Sequence, residues 1–320
     1  MSVAICLLLY GAVVCVLAPR LLPNLTRGGA APGAAVAVWL IVLTSVLASW
    51  TGAAVALAVH TARTWNRPDP LAVAACLAEV RSAATGQSGP AMQIGLAAAT
   101  VVLSAVVVAL ASRIGRFVIR ARVRTRRHAQ SARIIGRRVA GVDGLVVDAP
   151  QKMAYCLGGR PGTVVITSAA VAALERPQLD AVLAHERAHL AGRHHLLLTA
   201  TRALAASLPR IRLFTVAHAE IARLLEMCAD DTAARRHGPA SLLAAIVALA
   251  GADPIPATAL GATTIGLCER VTRLADPDTT AGRLRARLLM AAFTGVVVAA
   301  PVLTVWAASS GFTACGPFTA

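Results

Sequence analysis

Two histidines and a glutamate stand in the order H-E-x-x-H within the stretch LAHERAHLAGRHH. His185 and His189 are four residues apart, so a helix places both imidazoles on one face, where they can reach one metal ion. Neutral imidazole suits zinc, and a catalytic zinc takes three protein ligands plus a water. Glu186 can take a proton from that water and later return it to a leaving amine. The spacing predicts one zinc ion per chain and peptide hydrolysis with Glu186 as the catalytic base.

The third ligand must come from another element of the chain. Glu226 lies in EMCADD, and Asp230 follows four residues later on the same helical face. Because a ligand histidine usually donates its second N–H to a carboxylate, we assign Glu226 as the ligand and Asp230 as the group that orients a histidine. The residues that compete with Glu226 for this role are Glu220, Asp231, His194, His195 and His218.

Four further histidines follow the motif, and three of them besides His218 need an interpretation of their own. His194 and His195 lie nine and ten residues after His185, too far along one helix to reach the same ion easily, so we interpret them as surface histidines near a helix end. His237 is the candidate for stabilising a developing oxyanion, and the alternative is a structural histidine before the helix-ending Gly238.

The composition determines what kind of protein carries these residues. Of 320 residues, 57% are hydrophobic and 14% are charged, whereas a soluble domain is about half apolar and about a quarter charged. A bilayer core requires about 20 apolar residues as helix. Four stretches are long enough, and they lie at about 3–22, 35–59, 91–111 and 288–308. The fold class predicted is an α-helical membrane protein with four transmembrane helices and one polar domain.

Ten arginines and no acid lie between Arg113 and Arg138, directly after the third apolar stretch. Basic residues beside a membrane helix favour the cytoplasmic side, where they also contact anionic membrane lipid. Nucleic-acid binding is the competing interpretation, and the position beside a membrane helix disfavours it. The predicted organisation is three transmembrane helices in 1–112, a cytoplasmic domain in 113–284, and a fourth helix with a short external tail in 285–320. Both termini then lie outside the plasma membrane.

This topology places two of the seven cysteines, Cys76 and Cys315, on the outer face. A disulfide persists outside the cell but not in a reducing cytosol. We therefore expect Cys76 and Cys315 to be able to form a bond.

The polar domain begins with short apolar runs separated by Pro and Gly, which predict strands at Leu145–Val147, Ala154–Leu157 and Val164–Thr167. Thr167 or Ser168 can cap the helix that follows, and Pro177 suits the first turn of the motif helix. The segment 196–214 is apolar but too interrupted to span a membrane, so either the domain core or the membrane interface can receive it.

These features together resemble the BlaR/MecR-type family of integral-membrane zinc metallopeptidases. The resemblance rests on four membrane helices, an H-E-x-x-H domain between the third and the fourth, the EMCAD segment, and CERVTRLADP before the last helix. HtpX-like membrane proteases share the pair of motifs.

The resemblance implies a gluzincin-type α+β protease domain and proteolysis of a cytosolic protein, commonly a BlaI-type repressor. It also implies that a protein or peptide substrate pairs with an edge strand formed by Val164, Val165, Ile166 and Thr167. Two alternatives stay open: HtpX-like quality control of membrane proteins, and a non-catalytic membrane scaffold that signals through its cytoplasmic domain.

Overall fold

The computed structural model describes residues 2–65, 90–159, 161–250, 266–276 and 279–309. Cys76 and Cys315 lie outside these ranges, as does most of the predicted outer loop. The helices of the described part are α1 Ser2–Thr26, α2 Pro32–Trp65, α3 Pro90–Ile135, α4 Ser168–Ala173, α5 Arg176–Ala191, α6 His194–Ser207, α7 Arg212–His237, α8 Pro239–Ala250, α9 Leu267–Ala275 and α10 Thr280–Ser309. The strands are β1 Leu145–Val147, β2 Ala154–Leu157 and β3 Thr163–Thr167.

Four of these helices are long and apolar enough to cross a membrane, by length and composition. The qualifying parts are Val3–Thr26, Pro32–Val59, Ala97–Ile135 and Thr280–Trp306. They coincide with the four stretches predicted from the sequence, and they support a membrane protein. The third is longer than predicted, because α3 continues as one helix through the arginine run to Ile135.

The sheet has the strand order β1-β3-β2. β3 pairs with β1 in parallel and with β2 antiparallel, so both of its edges are occupied. The prediction that Val164, Val165, Ile166 and Thr167 form an edge strand is therefore wrong. Val165 and Ile166 are fully buried, as expected for a central strand whose two faces are both covered. The outer side of β1 pairs with Arg137, which leaves β2 as the free edge in the described part of the sheet.

Local sequence signals explain how the motif helix begins. The Thr167 side chain accepts a hydrogen bond from the Ala170 amide and caps α4, as predicted. Glu175 and Gln178 form a capping box at the start of α5, and Pro177 occupies its first turn, where a missing N–H costs nothing. The entry into α5 is thus fixed, and with it the position of the H-E-x-x-H residues.

The helix that carries Glu226 is packed into the apolar helices and not into a separate globule. Leu213, Phe214 and Ile221 of α7 share one buried cluster with Trp39 and Val46 of α2. The same cluster includes residues of α1 and α10. The segment 196–214 accordingly packs on this core, through α6 and the first turn of α7. The position of α7, and with it that of Glu226, is therefore determined by packing against α1, α2 and α10.

Candidate metal centre

Three side chains predicted as ligands lie together. The Nε2 atoms of His185 and His189 are 3.1 Å apart. Glu226 places Oε2 3.5 Å from the His185 Nε2 and Oε1 3.3 Å from the His189 Nε2. All three residues are buried, and their ligand atoms lie within 4.8 Å of one another.

This triangle has the dimensions that zinc requires. In a tetrahedral site with bonds of about 2.0–2.1 Å, neighbouring ligand atoms lie about 3.3 Å apart. The two imidazole nitrogens lie 3.1 Å apart, and each has one of the two Glu226 oxygens at 3.3 or 3.5 Å, close to that value. Two imidazoles and one carboxylate are also a donor set found in catalytic zinc sites. Both the geometry and the donor chemistry therefore fit zinc.

Asp230 lies beside His185, the residue that it is predicted to orient. Its Oδ1 lies 3.0 Å from the His185 Nδ1, although the ring N–H does not point directly at that oxygen. Burial disfavours a charged imidazole, but the adjacent Asp230 and Glu226 carboxylates outweigh it and raise the pKa of His185 to about 10. Metal binding at this nitrogen uses the neutral form of the imidazole. Asp230 itself is fully buried, and its histidine and arginine partners hold its pKa at about 2 against the effect of burial.

Arg270 is the residue of this site that the sequence reasoning missed. Its Nε and Nη2 each lie 2.7 Å from one oxygen of Asp230, a bidentate contact. Its Nη1 lies 3.3 Å from Oε2 of Glu226. Burial raises the pKa of the Glu226 carboxyl, but His185, His189 and Arg270 outweigh it and lower that pKa. The only signal in the sequence was the position of Arg270 in CERVTRLADP, just before the last apolar helix.

His189 has a different neighbour. The Nδ1 atoms of His189 and His194 are 2.8 Å apart, and the two rings meet edge to face. His194 is buried at the start of α6, so its interpretation as a surface histidine is wrong. The chain turns at Gly192 and Arg193, which brings His194 back against the motif helix although one continuous helix would have carried it away. The pKa of His189 is lowered to about 4, and burial is the largest cause.

Glu186 lies beside the triangle and close to β2. Burial, its largest cause, raises the pKa of the Glu186 carboxyl, and the nearby Glu226 adds to the effect. The Cys156 thiol of β2 interacts with this carboxyl, and burial followed by the Glu186 charge raises the pKa of the thiol to about 12. Cys156 is thus a neutral thiol that marks the approach from β2 to Glu186.

The competing ligands are engaged elsewhere. Glu220 accepts hydrogen bonds from Arg223 and Thr26, and Asp231 accepts one from Arg273. The His218 Nδ1 lies 3.0 Å from the Thr201 hydroxyl.

His195 and His237 also lie away from the triangle. The ring of His195 lies against Gly158. His237 is exposed at the end of α7, eleven residues and about 16 Å along the axis from Glu226. The structure therefore does not bring the proposed oxyanion stabiliser to the site.

Comparison with known proteins agrees with this geometry. Residues 121–255 match the family model described as Peptidase family M48. No curated protein and no solved structure matches the chain. The matched range contains β1 to β3, the motif helix α5 and the Glu226 helix α7, whereas Arg270 lies beyond it. The match supports the M48 family, which implies a zinc metalloprotease.

Proposed function

We propose that this chain is an integral-membrane zinc endopeptidase with a cytosol-facing active site, of the BlaR/MecR type. The observation that carries the proposal is the buried triangle of two imidazoles and one carboxylate, with Glu186 beside it. The four apolar helices support membrane insertion, and the arginine run after the third supports the cytosolic side.

Zinc held by His185, His189 and Glu226 would polarise a peptide carbonyl and lower the pKa of a water molecule to about 7. The proton transfers are carried out by the Glu186 side chain. Glu186 accepts the proton from the attacking water, and its raised pKa brings the carboxyl closer to neutral pH, where it can also release that proton. The protonated Glu186 then delivers the proton to the leaving amine.

The free edge of β2 can pair with a substrate peptide in an extended conformation. The Thr167 amide donates to the Met153 carbonyl, so Ala154 and Ile166 form a non-hydrogen-bonded pair and Tyr155 and Val165 form a hydrogen-bonded one. The backbone groups of Ala154 and Cys156 therefore point away from β3. A peptide that pairs with them lies next to Glu186, because Cys156 contacts that carboxyl.

We propose a cytosolic protein as the substrate, with a BlaI-type repressor as the leading case, and anionic lipid as the partner of the arginine run. HtpX-like cleavage of many membrane proteins and a silent signalling scaffold are the competing outcomes. The experiment that separates them is mass spectrometry of new protein N-termini in cells that produce the parent, Glu186→Gln, or Asp180→Asn. Asp180 lies on the same helix in an ion pair with Arg176 on its solvent-facing side, so it is the matched control.

One or a few cytosolic products present with the parent and the control, and absent with Glu186→Gln, would support regulated proteolysis. Many membrane-protein products would favour quality control. Identical N-termini in all three strains, each holding the protein at equal level, would contradict a peptidase and favour the scaffold.

A further inference from the structure

A second polar feature of the molecule lies beside β2, outside the metal triangle. It is a cavity of about 420 Å³ between α3, the turn after β2, and the corner that joins α5 to α6. Arg122 and Arg126 of α3 line one side, and Arg193 and His195 of the corner line another. None of the lining residues is acidic. We call this cavity the arginine pocket.

The positive charge of the arginine pocket is not neutralised. Within the described part of the chain, the side chains of Arg122, Arg126 and Arg193 form no ion pair and no hydrogen bond. Arg133, on the same helix as the first two, instead donates to the Pro161 carbonyl at 2.6 Å and so fixes α3 against the turn. The walls of the pocket are therefore held in place while three guanidinium groups keep free donors.

The backbone at the corner adds to this charge. α6 begins at His194, so its positive helix end lies at the pocket, where anions are stabilised. Arg193 has φ 50°, the left-handed conformation, and is the only described non-glycine residue with positive φ. The buried His195 Nδ1 has no hydrogen-bond partner among the described residues. Guanidinium groups and the N-terminal end of a helix both suit a carboxylate.

The arginine pocket continues the proposed substrate path. Gly158 follows β2 directly and lies two residues beyond Cys156, about 7 Å along the strand. A Cβ at Gly158 would lie 2.5 Å from the His195 ring, so the end of the strand packs directly on this histidine. A peptide paired with β2 at Glu186 therefore passes the pocket about two residues later.

A lipid headgroup fits the position of the pocket less well. Arg122 and Arg126 lie 9 and 13 residues after Arg113, the first arginine beyond the apolar part of α3. At 1.5 Å per residue this is about 14–20 Å further along the helix, for a helix that crosses along the membrane normal. The polar zone on each side of a bilayer core is about 5–8 Å thick. The pocket is therefore deeper in the cytosol than the headgroups.

We propose that the arginine pocket binds an acidic side chain, Asp or Glu, of the peptide substrate, about two residues from the scissile bond. This inference rests on the proposed peptidase function and adds the class of substrate. It predicts that the enzyme prefers sequences with an acid at one fixed position, and that the arginines of the pocket create this preference.

The test is cleavage of a pool of ten-residue peptides by the zinc-loaded, full-length protein in detergent, with products identified by mass spectrometry. Each peptide carries Glu at one position and has two partners, one with Gln and one with Lys there. The parent should cleave the Glu form about two- to fivefold faster at one position, as expected for a charge pair with exposed guanidinium groups. Arg122→Glu/Arg126→Glu should lose this preference and gain one for Lys. Arg124→Glu/Arg127→Glu is the matched control, on the same helix but outside the pocket, and should behave as the parent.

The outcomes separate the two proposals. An active parent with no positional preference, or a preference that survives Arg122→Glu/Arg126→Glu, overturns the arginine pocket as a substrate site and leaves the peptidase in place. Retention of inorganic phosphate or of anionic phosphatidylglycerol vesicles by the pocket, without any acidic preference, overturns it as well. A zinc-loaded parent that cleaves no more than Glu186→Gln contradicts the peptidase function itself.

Discussion

The two histidines of the H-E-x-x-H motif have opposite surroundings, although they lie one helical turn apart and face the same point. His185 contacts a carboxylate that is held by Arg270, and its pKa rises to about 10. His189 contacts a second imidazole, and its pKa falls to about 4. The Nδ1–Nδ1 contact to His194 requires one Nδ1 to donate and the other to accept. The two rings therefore cannot both be positively charged imidazolium ions.

The two histidines of one motif therefore differ in the charge of the groups that contact them. On the His185 side, Arg270 pairs with Asp230, and the Asp230 carboxylate lies against the ring and favours its protonated form. On the His189 side, a neutral pair leaves the ligand nitrogen ready for the metal. We expect the charged side to contribute more to both stability and metal affinity, and the following substitutions test this in order of decreasing effect.

Arg270→Met should produce the largest loss of stability. It leaves the buried carboxylates of Asp230 and Glu226 without their shared cation, which typically costs about 3–5 kcal/mol. The measurement is the free energy of unfolding of the purified protein in detergent. Arg273→Met is the control, because Arg273 pairs with the less buried Asp231 and should cost less. Equal stabilities of Arg270→Met and the parent would contradict the role of Arg270 as the cation that compensates Asp230 and Glu226.

Asp230→Asn should weaken zinc binding by about 10–100-fold, the usual effect of removing a carboxylate that orients a ligand histidine. The measurement is competition with a chelator of known affinity, on protein shown to be folded. Asp231→Asn, one residue later and bonded to Arg273, should bind zinc like the parent. Identical affinities for the two variants would show that Asp230 does not position His185.

His194→Phe should weaken zinc binding by less than about tenfold. The phenyl ring keeps the buried volume and removes a hydrogen bond between neutral groups, which is roughly half as strong as one to a charged group. The same chelator competition measures it. A loss as large as that of Asp230→Asn would erase the asymmetry between the two histidines.

Asp180→Asn should have the smallest effect. The pair of Arg176 and Asp180 is 3.0 Å long but lies on the solvent side of the motif helix, where such pairs contribute less than about 0.5 kcal/mol. Thermal unfolding of the variant and the parent in the same detergent checks this. A loss above about 1 kcal/mol would mean that burial does not separate the important charges from the others.

The sequence predicted the parts of this molecule that depend on local patterns. H-E-x-x-H and the spacing of Glu226 and Asp230 on one helix predicted four side chains that the structure brings together. Lengths of apolar residues predicted the four long helices, and the strands β1 and β2 have the predicted bounds. Thr167 and Pro177 predicted the helix starts because capping is decided within one turn.

Features that depend on contacts between residues far apart in the chain could not be predicted from the sequence. Strand order is decided by which faces are covered, although the unbroken apolar run of Val164, Val165 and Ile166 is itself a sign of a central strand. Arg270 joins the site from a helix 40 residues after Asp230, and no local pattern links the two. His194 returns to the site only because the chain turns at Gly192 and Arg193.

Zinc K-edge X-ray absorption of the purified full-length protein tests the central claim most directly. We expect one zinc per chain with only nitrogen and oxygen neighbours at about 2.0–2.1 Å. We also expect that Glu226→Ala loses stoichiometric zinc and that Glu186→Gln keeps the parent spectrum. Absence of stoichiometric zinc from the parent, or a sulfur neighbour at about 2.3 Å such as the nearby Cys156 would supply, would contradict a site formed by His185, His189 and Glu226.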